Sequence, residues 1–380
     1  MLDKILICVT EDWFALSHFK PLIRALTTVA REVVVATRDS GRMGELAALG
    51  CRPQPFDYHR ASTNPLREAE STRRLAALFR RERPDAVHLI ALKPITLGAM
   101  AAAIAPVPAV GVHLTGLGLL ATAATAKART VRRIALGLTG TLLRRPSTQL
   151  FVENPDDVEA LKAVRADPGD RVTILGGAGV DPDHFRPEPW PANDPPVAAY
   201  VGRMIRSKGL DTLVAAAERI AATGPPLAID LYGRIDDDNP EAFSGADIAG
   251  WQQRGLVRWH GHVDDVREVW RRADIFVMCP RGGEGLPRSL LEAAACGRPA
   301  VVTDVPGCRH FVRDGIEGCV VPPGDPEAMA AALSGLADDP ARRIAMGAKA
   351  RERLLSGYTE RHVMDAVVAG YRALAARSRR

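Results

Sequence analysis

Residues 275–292 read IFVMCPRGGEGLPRSLLE, and they predict a strand, a loop and a helix in succession. Residues 275–278 are apolar like a buried strand, the Gly and Pro residues after them are typical of a loop, and residues 288–296 have a helical composition. In a parallel sheet this order places the loop at the carboxyl end of a strand, where open α/β sheets bind ligands. The loop carries Glu284 and the helix carries Glu292. Carboxylates can accept hydrogen bonds from sugar hydroxyls and amides at a helix N-terminus can bind phosphate, so the unit suits a phosphorylated sugar.

The same alternation of strands and helices occurs on both sides of a proline-rich break. Residues 181–196 contain six prolines in sixteen positions, which disfavours helix and sheet and predicts a linker. Strands are predicted before the linker at 4–9, 33–37, 86–90, 109–113, 149–152 and 172–175. After the linker they are predicted at 197–201, 227–232, 256–259, 274–278, 300–303 and 318–321.

This pattern predicts an α/β protein of two Rossmann-like, doubly wound parallel-sheet domains. The first domain is predicted at 1–185 and the second at 186–358, with a last helix in 359–380 that packs back on the first domain. Because such sheets bind ligands at their carboxyl edges, we expect the site in a central cleft that both domains face.

Composition excludes several classes of protein. The 380 residues are 47% apolar and 25% charged, which is ordinary for a globular protein, and no apolar run approaches the ~20 residues of a membrane-spanning helix. The six cysteines lack ligand spacing, so we expect reduced thiols, no metal site and a cytoplasmic location. Aromatic residues make up only 5% and are not interleaved with a basic stripe, which argues against nucleic acid as a partner.

Residues 86–152 contain no Asp or Glu and seven basic residues. Within them, an apolar segment at 131–145 is bracketed by Arg132, Arg133, Arg144 and Arg145. This arrangement suits an interfacial helix on an anionic membrane surface, and it equally suits a core helix with solvated ends.

A second motif follows the first strand of the second domain. Gly202 allows a sharp turn, and Arg203 and Lys208 then precede a predicted helix. Two cations beside a helix N-terminus can bind a diphosphate without a metal ion. The alternative is a glycine turn with two solvated cations.

The first domain offers His113 at the end of a predicted strand and a Gly-Leu-Gly loop that begins at Gly116. His113 can be a packed strand-end histidine or a group of the site. The glycine-rich residues 176–179 precede the linker instead of a helix, so they do not fit a dinucleotide-binding fingerprint.

Taken together, these motifs resemble those of the retaining glycosyltransferases of family 4, which have the two-domain GT-B fold. In the second domain the resemblance lies in Gly202-Arg203…Lys208-Gly209, Gly261-His262-Val263, Glu284-(x7)-Glu292, residues 293–299 and Thr303-Asp304. In the first domain residues 83–88, 93–94, 115–118, 154–157 and 179–181 with Phe185 are similar to the subgroup that builds bacterial capsules and O-antigens. The resemblance implies transfer of a sugar from a nucleoside diphosphate sugar, with UDP as the nucleotide, to a polyprenyl-diphosphate-linked saccharide at the inner membrane face.

The resemblance also implies roles for individual residues. Arg203 and Lys208 would hold the donor diphosphate, and Glu284 would contact the donor sugar. The remaining implied contacts are Glu292 with the ribose, the amides of Gly285 and Leu286 with phosphate, His262 and Val263 with the nucleobase, and His113, Thr115 and Gly116 in the first domain. Retaining members need no side-chain nucleophile and no metal or other cofactor, because a donor phosphate oxygen accepts the acceptor's proton.

The sequence departs from the family pattern in two places. The loop after the first strand, residues 10–18, lacks the family's glycine-rich turn, and Thr115 stands where the family's histidine precedes the Gly-x-Gly loop. A nucleotide-sugar epimerase, a phosphorylase and a non-catalytic nucleotide-sugar-binding protein remain alternatives on the same fold. A nicotinamide-dependent oxidoreductase is disfavoured because no glycine follows the first strand.

Overall fold

The computed structural model describes residues 1–59, 64–116, 126–163, 166–236, 239 and 241–378. The chain forms two compact units: Met1–Gly179 together with Glu360–Arg380, and Val180–Thr359. The boundary lies before Val180, six residues ahead of the predicted one, because Val180 and Phe185 are buried in the apolar core of the second unit.

The first unit contains a parallel sheet, which has seven strands among the described residues and the order β3-β2-β1-β4-β5-β6-β7. The strand order reverses between β1 and β4, which is the arrangement of a doubly wound fold. The strands are β1 Leu2–Glu11, β2 Ala30–Arg38, β3 Arg52–Pro55, β4 Ala86–Ile90, β5 Ala109–Leu114, β6 Thr148–Val152 and β7 Val172–Ile174.

Helices cover both faces of this sheet and bury two apolar clusters against it. The described helices are Asp12–His18, Lys20–Val29, Met43–Ala47, Pro65–Glu82, Leu92–Ile104, Ala126–Leu143, Pro155–Lys162 and Glu360–Ser378. The last of these packs on the helix Lys20–Val29 and on β5, β6 and β7, so the end of the chain is part of the first unit.

The second unit repeats the architecture with a parallel sheet of six described strands in the order β10-β9-β8-β11-β12-β13. These strands are β8 Val197–Val201, β9 Ala228–Tyr232, β10 Arg258–Trp259, β11 Ile275–Met278, β12 Ala300–Thr303 and β13 Gly318–Val321. Its described helices are Leu210–Thr223, Gly245–Gln253, Arg267–Arg272, Arg288–Ala295, Pro306–Arg309, Pro326–Ala337 and Pro340–Gly357. The prediction of two parallel α/β domains is therefore confirmed.

Several elements differ from the sequence-based prediction. The strand Arg52–Pro55 was not predicted because it carries two prolines, which a sheet tolerates at an edge. The helix Gly245–Gln253 was also missed, although Ser244 and Asp247 form a capping box at its start. The composition of residues 16–30 predicts one helix, but the structure has two helices there, because the chain bends at Phe19 before Pro21.

The arginine-bracketed segment at 131–145 lies largely in the helix Ala126–Leu143. Leu136, Leu142 and Leu143 are buried in the first unit, whereas Arg133 and Arg144 are exposed. The side chain of Arg132 lies outside the described residues. Among the helices that the structure describes, none has the length and apolarity to cross a bilayer.

Candidate functional site

The loop after β8 is shaped by the side chain of Tyr200. Its hydroxyl donates a hydrogen bond to the Arg203 carbonyl oxygen at 2.9 Å, and a Cβ added to Gly202 would lie 2.6 Å from that hydroxyl. The backbone amide of Gly202 also donates to the Tyr232 carbonyl oxygen at 3.0 Å. Glycine is therefore required at position 202 for close approach, and the turn fixes where Arg203 leaves the sheet.

This loop packs directly on the loop that follows β11. A one-turn 3-10 helix, Arg206–Lys208, ends at Gly209, which has φ +71° and whose added Cβ would lie 1.9 Å from the Cys279 carbonyl oxygen. The thiol of Cys279 donates to the Gly209 carbonyl oxygen at 3.2 Å. The two loops are thus joined backbone to backbone at the carboxyl edge of the sheet.

Lys208 and Glu284 meet at this junction. The Lys208 Nζ donates to the Glu284 Oε2 at 2.8 Å, and the side chains are only 13% and 19% exposed. A lysine ammonium has three donors, so this bond leaves donor capacity for a second anionic group. The pair places a cation and a hydrogen-bond acceptor side by side in a partly desolvated position.

The structure places Arg203 differently from Lys208. Its guanidinium forms an ion pair with Asp236 at 3.3 Å, and its side chain is 44% exposed. Asp236 was not recognised from the sequence, because it lies 33 residues away in a loop without a recognisable motif.

The loop that carries Glu284 is held by the short helix Pro306–Arg309. A Cβ added to Gly307 would lie 1.3 Å from the Gly285 carbonyl oxygen, so this contact is also backbone to backbone. The Thr303 hydroxyl donates to the Pro280 carbonyl oxygen at 2.6 Å. Gly285 and Leu286 are buried.

Glu292 lies one turn inside the helix Arg288–Ala295 and is 7% exposed. Arg288 donates to the Glu292 Oε1 at 2.8 Å, which is an i, i+4 ion pair that was not predicted from the sequence. Burial raises the pKa of the Glu292 carboxyl, and the Arg288 guanidinium offsets part of that rise. The carboxylate is oriented, since one oxygen is committed to arginine.

His262 and Val263 follow β10. The His262 ring is 48% exposed and lies 3.5 Å from Asp264, whereas Val263 packs against the apolar core of the second unit. These two residues are therefore placed at the carboxyl end of a strand that belongs to the same sheet as the Lys208–Glu284 pair.

In the first unit, hydrogen bonds link three buried side chains in series: Tyr371, His88 and His113. His113 Nδ1 lies 3.2 Å from His88 Nε2, and His88 Nδ1 lies 2.9 Å from the Tyr371 hydroxyl. Gly111 leaves space for the His88 ring, because a Cβ added to Gly111 would lie 2.5 Å from His88 Nδ1. Burial lowers the pKa of His113 to about 3, so the ring is neutral at physiological pH.

Because buried polar groups need hydrogen-bond partners, the proton positions on Tyr371, His88 and His113 can be assigned. If the Tyr371 hydroxyl donates to His88 Nδ1, then His88 donates from Nε2 to His113 Nδ1 and His113 carries its proton on Nε2. The reverse direction leaves the buried Tyr371 proton without an acceptor among the described residues, at a cost of about 1–3 kcal/mol. His113 Nε2 has no partner in the described part of the chain and is a hydrogen-bond donor in this assignment.

Thr115 is half-buried just beyond β5, and Gly116 follows it with φ +82°. The Asp157 carboxylate is 6% exposed and lies near the Gly116 amide. Burial and the neighbouring Asp156 raise the pKa of Asp157 to about 7, although the Gly116 amide acts against the rise. The next residues of the Gly-Leu-Gly loop, Leu117 and Gly118, lie outside the described residues.

No cluster of three or more metal-ligating side chains occurs in the part of the chain that the structure describes. The site residues of the second unit offer cations and carboxylates, which suit a phosphorylated and hydroxylated ligand.

Both units match models of known protein families. Residues 195–339 match the model described as Glycosyl transferases group 1, and residues 4–143 match the model described as Glycosyl transferase 4-like. The two models take in most of each unit.

Individual relatives agree with these matches. The chain is 36% identical over 149 residues, 39% of its length, to a phosphatidyl-myo-inositol mannosyltransferase of Mycolicibacterium smegmatis. It is 24% identical over 351 residues, 89% of its length and 90% of the other, to N,N'-diacetylbacillosaminyl-diphospho-undecaprenol alpha-1,3-N-acetylgalactosaminyltransferase of Campylobacter jejuni. The chain spans 37% of the length of the mannosyltransferase, and it spans 49% and 54% of two further curated relatives.

A solved structure shares the fold over almost the whole chain. Anabaena Alr3699/HepE in complex with UDP-glucose superposes with a TM-score of 0.78, covering 98% of this chain and 100% of that one at 17% identity. This likeness confirms the predicted fold class.

Proposed function

Because the chain belongs to the family of group 1 and 4-like glycosyl transferases, we propose that it is a retaining, metal-independent glycosyltransferase. It transfers a sugar from a nucleoside diphosphate sugar, with UDP as the nucleotide, to a polyprenyl-diphosphate-linked saccharide in bacterial surface polysaccharide synthesis. The observation that carries this proposal is the partly buried Lys208–Glu284 pair at the carboxyl edge of the second sheet.

In this proposal the pair engages the donor at the bond that breaks. Lys208, together with Arg203, offsets the negative charge that develops on the leaving diphosphate, an effect worth several kcal/mol where water is excluded. Glu284 accepts a hydrogen bond from a hydroxyl of the donor sugar. Glu292, oriented by Arg288, accepts hydrogen bonds from the ribose, and the amides of the Gly285–Leu286 loop face the phosphate.

The chemistry needs no protein nucleophile. The acceptor oxygen forms a bond to the anomeric carbon as the bond from that carbon to the diphosphate oxygen breaks, and the acceptor's proton passes to the departing diphosphate. His113, as a neutral Nε2 donor, can bind a substrate oxygen but is unsuited to act as a base, since its pKa of about 3 leaves little basicity.

The lipid-linked acceptor is proposed from the Campylobacter relative, whose name specifies a diphospho-undecaprenol-linked acceptor. We further propose that the protein lies peripherally on the inner membrane face, with the exposed Arg133 and Arg144 toward anionic headgroups. Replacing both with glutamine should reduce co-sedimentation with phosphatidylglycerol vesicles and remove its salt dependence. Salt-insensitive binding that is unchanged in the variant would count against this placement.

The donor assignment is tested by thermal unfolding with UDP, other nucleoside diphosphates and their sugar conjugates. A ligand that binds only the folded protein raises the midpoint as its concentration rises. We expect stabilisation by UDP or a UDP-sugar that is lost in Lys208→Ala and kept in Lys349→Ala, which removes an exposed lysine of the same unit.

Two outcomes would redirect the proposal. Stabilisation that Lys208→Ala leaves intact would remove this lysine from the donor site. Binding of a UDP-sugar with no transfer to any lipid-linked saccharide would favour the epimerase or the non-catalytic binding protein.

A further inference from the structure

A polar cavity lies in the second unit, away from the Lys208–Glu284 pair. It has a volume of about 270 Å³, and its wall includes Arg186, Arg267, Trp270, Arg271 and Arg298. Trp270 and Arg271 precede β11, and Arg298 precedes β12, so the cavity is near the amino ends of these strands. The Glu284 loop lies at their carboxyl ends. The helix Arg288–Ala295, about 12 Å long, runs between the two regions.

Arg298 is a buried cation that forms no close ion pair among the described residues, although the carboxylates of Asp274 and Glu188 lie near enough to favour its charged form. The residue is 1% exposed, its Nε donates to the Trp270 carbonyl oxygen at 2.8 Å, and its guanidinium lies 4.4 Å from the ring centroid of Trp190. Its Nη2 has no hydrogen-bond partner, and it forms no ion pair with any carboxylate that the structure describes. Burial lowers its pKa, but an arginine stays charged at physiological pH.

The other groups of the wall also provide donors. The Trp270 Nε1 is a buried donor that has no partner among the described residues. Arg186 and Arg271 are exposed at the rim and form no ion pair in the described chain, whereas Arg267 is committed to Asp265 at 2.6 Å. Two carboxylates, Asp183 and Glu188, also line the cavity. The three uncommitted arginines therefore leave a net positive charge.

Buried charges in proteins are normally paired, because an uncompensated one costs several kcal/mol. A phosphate group carries a charge of about −1.5 to −2 at neutral pH and offers three acceptor oxygens. Planar guanidinium groups bind such oxygens in pairs. A phosphate in this cavity would give the Arg298 Nη2 a hydrogen-bond acceptor and would place negative charge beside the rim arginines.

We propose that this cavity is a phosphate-binding site, separate from the donor site, for a phosphate group carried by a small molecule or a lipid headgroup. The site does not depend on the proposed transferase reaction, since none of its wall residues belongs to the Lys208–Glu284 region.

Inorganic phosphate is the first probe, measured by titration calorimetry on the full chain at constant ionic strength. Lys208→Ala is used as the background, so that the donor site does not contribute. We expect saturable binding that Arg271→Gln weakens about tenfold or more, as for loss of one charge-assisted contact. Arg272→Gln is the matched control, because this exposed neighbour on the same helix is not part of the wall, and it should bind phosphate like the background protein.

Glucose 6-phosphate and vesicles of phosphatidic acid in phosphatidylcholine then distinguish the two sources of phosphate. Binding of glucose 6-phosphate that depends on Arg271 supports the site with a small-molecule ligand, and vesicle binding that depends on Arg271 supports it with a lipid ligand. Absence of saturable phosphate binding, or equal effects of the Arg271 and Arg272 variants, would overturn the proposal. Both substituted side chains are exposed, so neither substitution is expected to prevent folding.

Discussion

Single residues in this protein gain their chemistry from contacts that are distant in sequence. Lys208 and Glu284 are ordinary as residue types, but they become a partly desolvated pair because two loops 76 positions apart are packed together. Asp157 is similar, since burial changes a helix-start carboxylate into a group that titrates near neutrality.

Asp157 should make the stability of the protein depend on pH. Its pKa is about 7 in the folded chain, against 3.8 as the ordinary value, so the folded state binds this proton more tightly than the unfolded state. The contribution to stability is fully present below pH ~4 and is lost as pH rises toward 7, at roughly 1.4 kcal/mol for each unit of pKa difference. Asp157→Asn cannot ionise, so its free energy of unfolding should not show this decline.

The measurement is chemical denaturation of both proteins between pH 4 and 8, with the difference between them removing the other titrating groups. Asp156→Asn should shift the wild-type decline to lower pH, because the charge of Asp156 contributes to the raised pKa. Parallel curves for wild type and Asp157→Asn would show that the carboxyl titrates normally.

At the scale of elements, the site depends on how closely loops and helices approach one another. The short helix Pro306–Arg309 touches the Glu284 loop through its backbone, as the loop after β8 touches the loop after β11. Glycines at 209 and 307 are therefore packing positions. The i, i+4 pair of Arg288 and Glu292 adds orientation within one helix.

Replacing Gly307 with alanine should displace the Glu284 loop. The added Cβ would lie 1.3 Å from the Gly285 carbonyl oxygen, so the backbone must move. We expect the free energy of unfolding to fall by about 3 kcal/mol and the stabilisation by UDP to weaken, as overpacked backbone contacts are costly.

Gly250→Ala is the control, because no atom lies within 4 Å of its added Cβ and the residue is in the interior of the helix Gly245–Gln253. This variant should be more stable by about 0.5–1 kcal/mol. Equal stability of the Gly307 and Gly250 variants would contradict the close contact between helix and loop.

At the scale of the whole molecule, each unit has its own sheet and its own buried core, but the first unit is assembled from both ends of the chain. The final helix Glu360–Ser378 covers one face of the first sheet and brings Tyr371 to within 2.9 Å of His88, 283 positions away. The state of His113 is therefore set by a residue near the C-terminal end of the sequence.

Tyr371→Phe should allow His88 and His113 to adopt either neutral tautomer. Without the hydroxyl donor, neither nitrogen of His88 is preferred, so nitrogen NMR of histidine-labelled protein should show both tautomers of His88 and His113. Tyr58→Phe is matched, because it also removes a buried hydroxyl bond of the first unit, to the Ala36 carbonyl oxygen at 3.1 Å. Both variants should lose about 1 kcal/mol of stability.

A single His113 tautomer in both variants would show that Tyr371 has only a structural role. A change in tautomer that Tyr58→Phe also produces would indicate a general loosening of the core.

The sequence by itself determined the two α/β units and the loops that carry the site residues. Apolar runs, glycines and prolines act over a few neighbouring residues, so the strand–loop–helix unit at 275–295 could be read directly. The edge strand Arg52–Pro55 and the break at Phe19 escaped prediction because sheet pairing and packing outweighed local preference.

Only the tertiary structure decided which side chains meet. The pairing of Lys208 with Glu284, the ion pair of Arg203 with Asp236, the chain from Tyr371 to His113 and the burial of Arg298 join residues from separate elements. A side chain's charge state depends on its desolvation and its partners, and these are set when distant segments pack, which local sequence patterns do not encode.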